Sequence, residues 1–164
     1  MFLRKYTDSD FPTLKSWVTD PDLLFTFAGG SWSYPLTFEQ VKTYQEAHPL
    51  KQSYILCNEK GTPIAFGELI SGEANSPRLG RLLVGGEENR GKGIGKILIH
   101  KMIEESRKNN DQRFIHLFVF QDNFMAIRCY ENMGFTFVPE VVVPMASPQG
   151  HAASALLMTL TFDD

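Results

Sequence analysis

Cysteine is scarce in this chain of 164 residues. Cys57 and Cys129 stand far apart, with no C-x-x-C and no Cys/His cluster, which argues against a disulfide framework and a zinc site; both read as buried thiols. The four histidines, at 48, 100, 116 and 151, show no ligand spacing, so no metal is expected. Long apolar runs are missing too: MFLRKYTDSD holds no signal-peptide core, and no stretch approaches the ~20 apolar residues of a membrane span. A cytoplasmic protein without a membrane partner is the expectation. There is no basic excess either, since 16 Lys and Arg face 19 Asp and Glu, for a net charge of −3. That balance argues against a nucleic-acid partner bound across a broad basic face. With no repeat, low-complexity tract or Pro/Gly linker, residues 1–164 read as a single domain. A chain of this length can bury roughly two-thirds of its unfolded surface, and 43% hydrophobic with 21% charged residues is a globular composition.

Periodicity orders the elements. FLRKY is a short strand; Asp8 or Ser9 caps a helix through about Val18, ended by Thr19, Asp20 and Pro21. FAGGSWSYPLT reads as a Gly- and aromatic-rich loop, and the Thr37 to Gln40 spacing as the capping box of a helix closed by His48 and Pro49. SYILCNE, PIAFGELI and RLGRLLV form an antiparallel meander. From Gly91 to Asn109 the period is helical, with Ile94, Ile97, Leu98, Met102 and Ile103 on one face. RFIHLFVF reads as a central strand buried on both faces. A helix from about Asn123 to Asn132 stops at Gly134, and FTFV and ASALLMTLTF close the chain as a hairpin across the loop VVVPMASPQGH. The order is βα(α)βββαβαββ, an α/β (α+β layered) domain: a central mixed, mostly antiparallel sheet flanked by helices.

The informative stretch is VGGEENRGKGIGK, Val84 to Lys96, where a strand enters a Gly-rich turn that opens a helix. Such a junction gathers unpaired amides at the positive end of a helix dipole and suits phosphate. Two nucleotide motifs fail here. Gly86 to Lys92 fits G-x-x-x-x-G-K, but Gly93 stands where a Ser or Thr would ligate magnesium. G-x-G-x-x-G fails because Lys96 occupies the third glycine position. What fits is R-x-x-G-x-G over Arg90, Gly91, Lys92, Gly93, Ile94 and Gly95. Downstream, NFMAIRCYENMGF carries Asn123, Ala126, Tyr130, Gly134 and Phe135 in an N-x-x-A-x-x-x-Y-x-x-x-G-F register. With these two blocks in order, the chain resembles the GNAT-type N-acetyltransferase superfamily, strongly from Ile64 to Val138.

The resemblance implies a GNAT-like acyl-CoA N-acyltransferase fold, acetyl-CoA as cofactor with coenzyme A as product, and an amine as the second partner. It implies that the amides of residues 90 to 96, helped by Arg90, Lys92 and Lys96, hold the pyrophosphate. It places the backbone of Leu82, Leu83 and Val84 along the pantetheine arm, with an N–H near Val84 as oxyanion donor. It makes Asn123 a pantetheine ligand, with Ala126 in the same block, and Tyr130 the acid that protonates the leaving thiolate. A phenol of pKa ~10 suits a thiolate whose conjugate acid lies near ~8.5. The alternative for Tyr130 is a core aromatic on an amphipathic helix.

The acceptor amine must lose a proton. Glu68, a lone carboxylate inside an apolar strand, is the candidate base and acceptor contact; the alternative is a structural partner of Arg78 or Arg81. Loss of the proton to water would need no base. Phe27, Trp32 and Tyr34, with Phe25, are candidates for the acceptor wall, or for a cover over the core. The reaction implied is direct attack of a primary amine in a ternary complex. The alternative is a non-catalytic acyl-CoA-binding or regulatory module of the same fold. Residues 78–108 hold eight Lys or Arg against four Glu, a local +4 that leaves −7 for the rest of a −3 chain; the acidic remainder points to cationic acceptors. The acceptor's identity and the oligomeric state, a homodimer among the options, stay open at this level.

Overall fold

The computed structural model describes residues 1–108 and 112–163. The chain opens with β1 (Phe2–Lys5) and a single 3-10 turn, then α1 (Phe11–Trp17), α2 (Pro21–Ala28) and α3 (Phe38–Ala47). The meander β2 (Lys51–Cys57), β3 (Pro63–Ile70) and β4 (Arg78–Val84) leads to α4 (Ile94–Arg107), β5 (Phe114–Phe120), α5 (Phe124–Asn132), β6 (Thr136–Ala146) and β7 (Ala152–Thr161). The seven strands form one sheet in the order β1-β2-β3-β4-β5-β7-β6. β4 and β5 are parallel and every other neighbouring pair is antiparallel, which matches the mixed, mostly antiparallel sheet expected.

Alternation along β2 shows how the layers are built. Tyr54 and Leu56 face the α4 side, where Leu98, Ile99 and Met102 complete a core with Ile115, Leu117 and Met158. Ile55 and Cys57 face α1 to α3, among Leu14, Leu24, Leu36 and Val41. A strand buried on both faces reads as an unbroken apolar run, and YILC is one.

Four sequence expectations need correction. α2 falls where no helix was read: Asp20, taken as the end of α1, caps the next helix by accepting from the Leu23 amide at 2.8 Å, with Pro21 in its first turn. β5 alternates between buried and half-buried residues, so only one of its faces is sealed. Val141 to Ala146 extend β6 beyond the expected loop, after an irregularity between Phe137 and Val142 where Glu140 takes φ 66°. Cys129 is half-buried, unlike Cys57. The expected end of α4 at Asn109 lies outside the described residues.

The first strand is tied to the helical layer by one ion pair. Asp10 is buried, takes both Arg4 nitrogens at 2.7 and 2.8 Å, and accepts from the Thr7 amide at 2.8 Å. The Arg4 bonds, ahead of the cost of burial, hold the Asp10 carboxyl below the usual carboxylate range. A carboxyl lowered in the folded state stabilises above its unfolded pKa of ~3.9, and that contribution is lost as pH falls through the lowered folded value. Arg4 is about one-third exposed, which screens the pair. Asp10→Ala is therefore expected to cost on the order of 2 kcal/mol near neutral pH. Urea midpoints of the two proteins should converge as pH drops below about 4; a pH-independent gap would show that the charge is not what matters.

Candidate functional site

The site begins as an interrupted ladder. β4 and β5 pair only at Arg78↔His116 and Leu79↔Leu117, although β4 runs on to Val84 and β5 to Phe120. Past Leu79 the two strands diverge. The cause lies on the opposite edge of β4: Phe66 faces Leu83 and Glu68 faces Gly80, so Arg81 and Leu82 together oppose the single residue Gly67. This is a β-bulge, which bends the strand that carries it. Gly67 is required beneath it, because a Cβ there would lie 2.4 Å from the Met102 sulfur and 3.2 Å from Leu82.

The bulge is held from the side chains inward. Arg81 sits at φ 48°, a left-handed conformation that costs a non-glycine residue roughly 1–2 kcal/mol. Its Nη1 donates to Glu68 Oε1 at 2.8 Å and to the Tyr44 hydroxyl, and Tyr44 donates to the same carboxylate oxygen at 3.0 Å. The guanidinium also lies over the Tyr44 ring at 4.1 Å and the Trp32 ring at 4.9 Å. Glu68, expected as a base in contact with the acceptor, is fully buried in this cluster and does not line the cleft; Arg81 does.

The gap opens into a cleft with two arms. One, of about 590 Å³, is lined by Val84, by Asn89 to Gly91, by Gly93 to Lys96, and by Cys129. The other, of about 380 Å³, runs under α2 past Phe27, Phe118 and Phe120 to Lys51, Ile70 and Arg78. Leu82, Leu83, Asn123, Ala126 and Tyr130 line both arms and mark their junction. Of the residues expected at the cofactor, only Lys92, which is exposed, is absent from the lining. Among the expected acceptor aromatics the structure brings in Phe27 alone. Trp32 is 4% exposed between Phe27 and Tyr44, and Tyr34 donates to the Thr19 carbonyl at 3.3 Å away from the cleft.

The first arm is built to receive an anion. Gly91 and Gly93 take φ 73° and 76°, and Gly93 precedes α4 with no side chain capping it. The amides of Ile94, Gly95 and Lys96 belong to the first helical turn and have no carbonyl a turn earlier to bond. Together with Arg90 and Lys96 they suit the phosphates of a coenzyme.

At the junction, Asn123 Oδ1 caps α5 by accepting from the Ala126 amide at 3.3 Å, which orients the side chain within the cleft. Tyr130 lies two helical turns on, its ring packed near Phe135. Its hydroxyl makes no hydrogen bond to a described residue, and burial pushes its pKa up, with a smaller push from Cys129. Burial likewise raises the Cys129 thiol, partly offset by Lys96, so it stays protonated near neutral pH. Among the described residues no aspartate, glutamate or histidine lines either arm, and none form a group of three His, Cys, Asp or Glu that could hold a metal ion. No helix among them is long and apolar enough to cross a membrane.

Sequence reasoning missed Lys51 and Arg78 as lining residues. Arg78 was visible only as a possible partner of Glu68. Val143 and Met145 also line this arm, on a segment that reads as a loop in the sequence and that the structure places in β6.

The family model for the acetyltransferase (GNAT) family matches residues 11–135. Among solved structures, the chain is similar to a spermidine N-acetyltransferase from Vibrio cholerae in complex with CoA and spermine, at 18% identity and TM-score 0.78, covering 97% of this chain and 94% of that one. It is similar to a ribosomal-protein-alanine N-acetyltransferase from Brucella melitensis at 19% identity and TM-score 0.72, covering 99% and 100%. It also resembles the aminoglycoside acetyltransferase AAC(6')-Ib in complex with coenzyme A and kanamycin, at 24% identity and TM-score 0.72, covering 98% and 94%. At these identities the likeness establishes the fold.

Substitutions at two positions separate the parts of the coenzyme arm. Gly93→Ala forces a Cβ into the left-handed region at roughly 1–2 kcal/mol, and coenzyme A affinity measured by calorimetry should fall about tenfold. Asn123→Asp keeps the cap but loses the amide donor, so it should weaken binding with little change in stability, whereas Asn123→Ala should also lose ~1 kcal/mol of stability.

Proposed function

This chain belongs to the acetyltransferase (GNAT) family, and on that premise we propose that it moves the acetyl group of acetyl-CoA onto a primary amine by direct attack in a ternary complex. The observation that carries this reading is the two-armed cleft whose arms meet at Tyr130, Asn123 and the splayed end of β4. A thioester whose phosphates rest on the amides of 94–96 would thread its arm along Leu82 to Val84, where unpaired main-chain groups face the gap like a sheet edge awaiting a strand. The thioester carbonyl then lies at the junction and the amine arrives through the second arm.

Each chemical requirement falls to a named group. A main-chain N–H of the stretch 82–84 stabilises the oxyanion of the tetrahedral intermediate. Collapse breaks the carbon–sulfur bond; Tyr130 gives its phenolic proton to the departing thiolate, and the nitrogen, positively charged once it has attacked, releases a proton that restores the phenol and leaves a neutral amide. Its raised pKa keeps that proton in place at neutral pH. No covalent acetyl-enzyme is needed, since Cys129 is held as a neutral thiol and attack by the amine is direct.

Deprotonation of the amine does not pass through Glu68 in this reading, because Glu68 is fully buried and absent from the cleft lining, with Oε1 held by Arg81 and Tyr44. The apolar walls of the second arm, Phe27, Phe118 and Phe120, desolvate an ammonium and lower its pKa. The amine thus reaches the thioester neutral, its proton lost to water. Glu68 is a positioning residue for Arg81, and through it for the bulge.

Tyr130→Phe is expected to lower kcat about 10²-fold while leaving the Kd for acetyl-CoA within about twofold; an unchanged kcat would remove Tyr130 from the chemistry. In Glu68→Gln the acidic limb of the pH–rate profile should persist. Its loss would restore Glu68 as the base.

A further inference from the structure

Charge in the second arm is lopsided. Lys51, Arg78 and Arg81 line it, and no carboxylate among the described residues does. Two carboxylates sit behind these cations: Glu68, fully buried against Arg81, and Glu73, which Lys51 and Arg78 share at 3.8 and 3.6 Å. Those two distances exceed the ~2.7–2.9 Å of a close charge-assisted bond, so Glu73 holds neither cation tightly. Three positive charges against two negative ones leave an unbalanced positive charge at the blind end of the arm. It is shielded from water, since the side chains of Lys51 and Arg78 are 14% and 17% exposed.

Arg78 is also held in place. Its Nη1 donates to the Ala74 carbonyl at 3.0 Å and the guanidinium lies over the Phe118 ring at 5.4 Å. A guanidinium has five N–H donors and an ammonium three, so both groups keep donors for a ligand. The walls between them and the junction are apolar, with Phe27, Phe118 and Phe120 facing the space.

We propose that the acceptor is a small primary amine that also carries an anionic group, a carboxylate or a phosphate, seated by Lys51 and Arg78 at the blind end of this arm. The inference rests on the transferase reading above and adds the substrate class. A polycationic amine would bring further positive charge to a half-buried site whose lining offers no carboxylate to meet it. An anionic group neutralises the excess and points the amine, across the apolar walls, toward Tyr130.

The test uses the intact protein with acetyl-CoA and reads thiol release for 4-aminobutanoate, its amide, 3-aminopropyl phosphate, phenylalanine, phenylalanine amide, 1,4-diaminobutane, spermine and kanamycin. Anionic amines should exceed their amides about tenfold in kcat/KM, with the polycations poorest; the carboxylate and phosphate arms identify which anion fits. In Lys51→Gln and Arg78→Gln, checked for folding by thermal unfolding, the KM ratio between a carboxylate amine and its amide should collapse toward one. Preference for spermine, kanamycin or the diamine, or an equal shift for every amine in both variants, would overturn the proposal. Should no amine release thiol, calorimetry on the CoA-loaded protein decides separately. Tighter binding of the anionic amines, abolished by either substitution, would sustain the inference while the transfer reading failed; equal binding of anionic and neutral amines would sink it.

Discussion

The buried pair between Glu68 and Arg81 is the contact on which the site depends. Removing one partner of such a pair strands a charge in the interior, a loss of roughly 3–5 kcal/mol, so the two persist or fail together. Because Arg81 can meet Glu68, Tyr44 and Trp32 only from a left-handed backbone, the pair sustains the bulge in β4. The bulge bends β4 away from β5, and an enclosed sheet acquires an opening. α3 shares in this arrangement through Tyr44, which couples the helical layer to the shape of the cleft.

What makes the opening useful is the kind of surface it exposes. Where β4 and β5 part, and at the first turn of α4, main-chain groups face the gap without a ladder partner among the described residues. The first arm is lined by glycines and by the start of α4, whereas the second is lined by residues from α2, β2, β3, β4, β5, α5, β6 and β7.

Legibility in the sequence follows the same division. The loop from Arg90 to Lys96 and the block from Asn123 to Phe135 could be read because local backbone geometry demands particular residues: glycine where φ is positive, asparagine where a helix needs a cap. The acceptor arm resisted because its members come from eight separate elements, most of them unremarkable in their own stretch. Lys51 opens a strand, Arg78 follows a proline, and Met145 sits in a run that reads as a loop. Glu68 was ambiguous for a related reason. A carboxylate in an apolar strand signals a paired charge, but whether its partner is a substrate or an arginine thirteen residues on depends on the register of β3 against β4. Charge gave a similar lesson, for the acidic average of the chain pointed to cationic acceptors while the arm itself is lined with cations.

Local pattern alone determined the element types over most of the chain, the layered mixed sheet, the anion-binding turn and the two blocks that mark the family, because short-range sterics and periodicity constrain those features within a few residues. Tertiary structure alone decided that β4 parts from β5, that Glu68 holds Arg81, and which charges face the second arm. These are long-range facts. They rest on side chains brought together by strand register and by packing between layers, and no single segment contains that information.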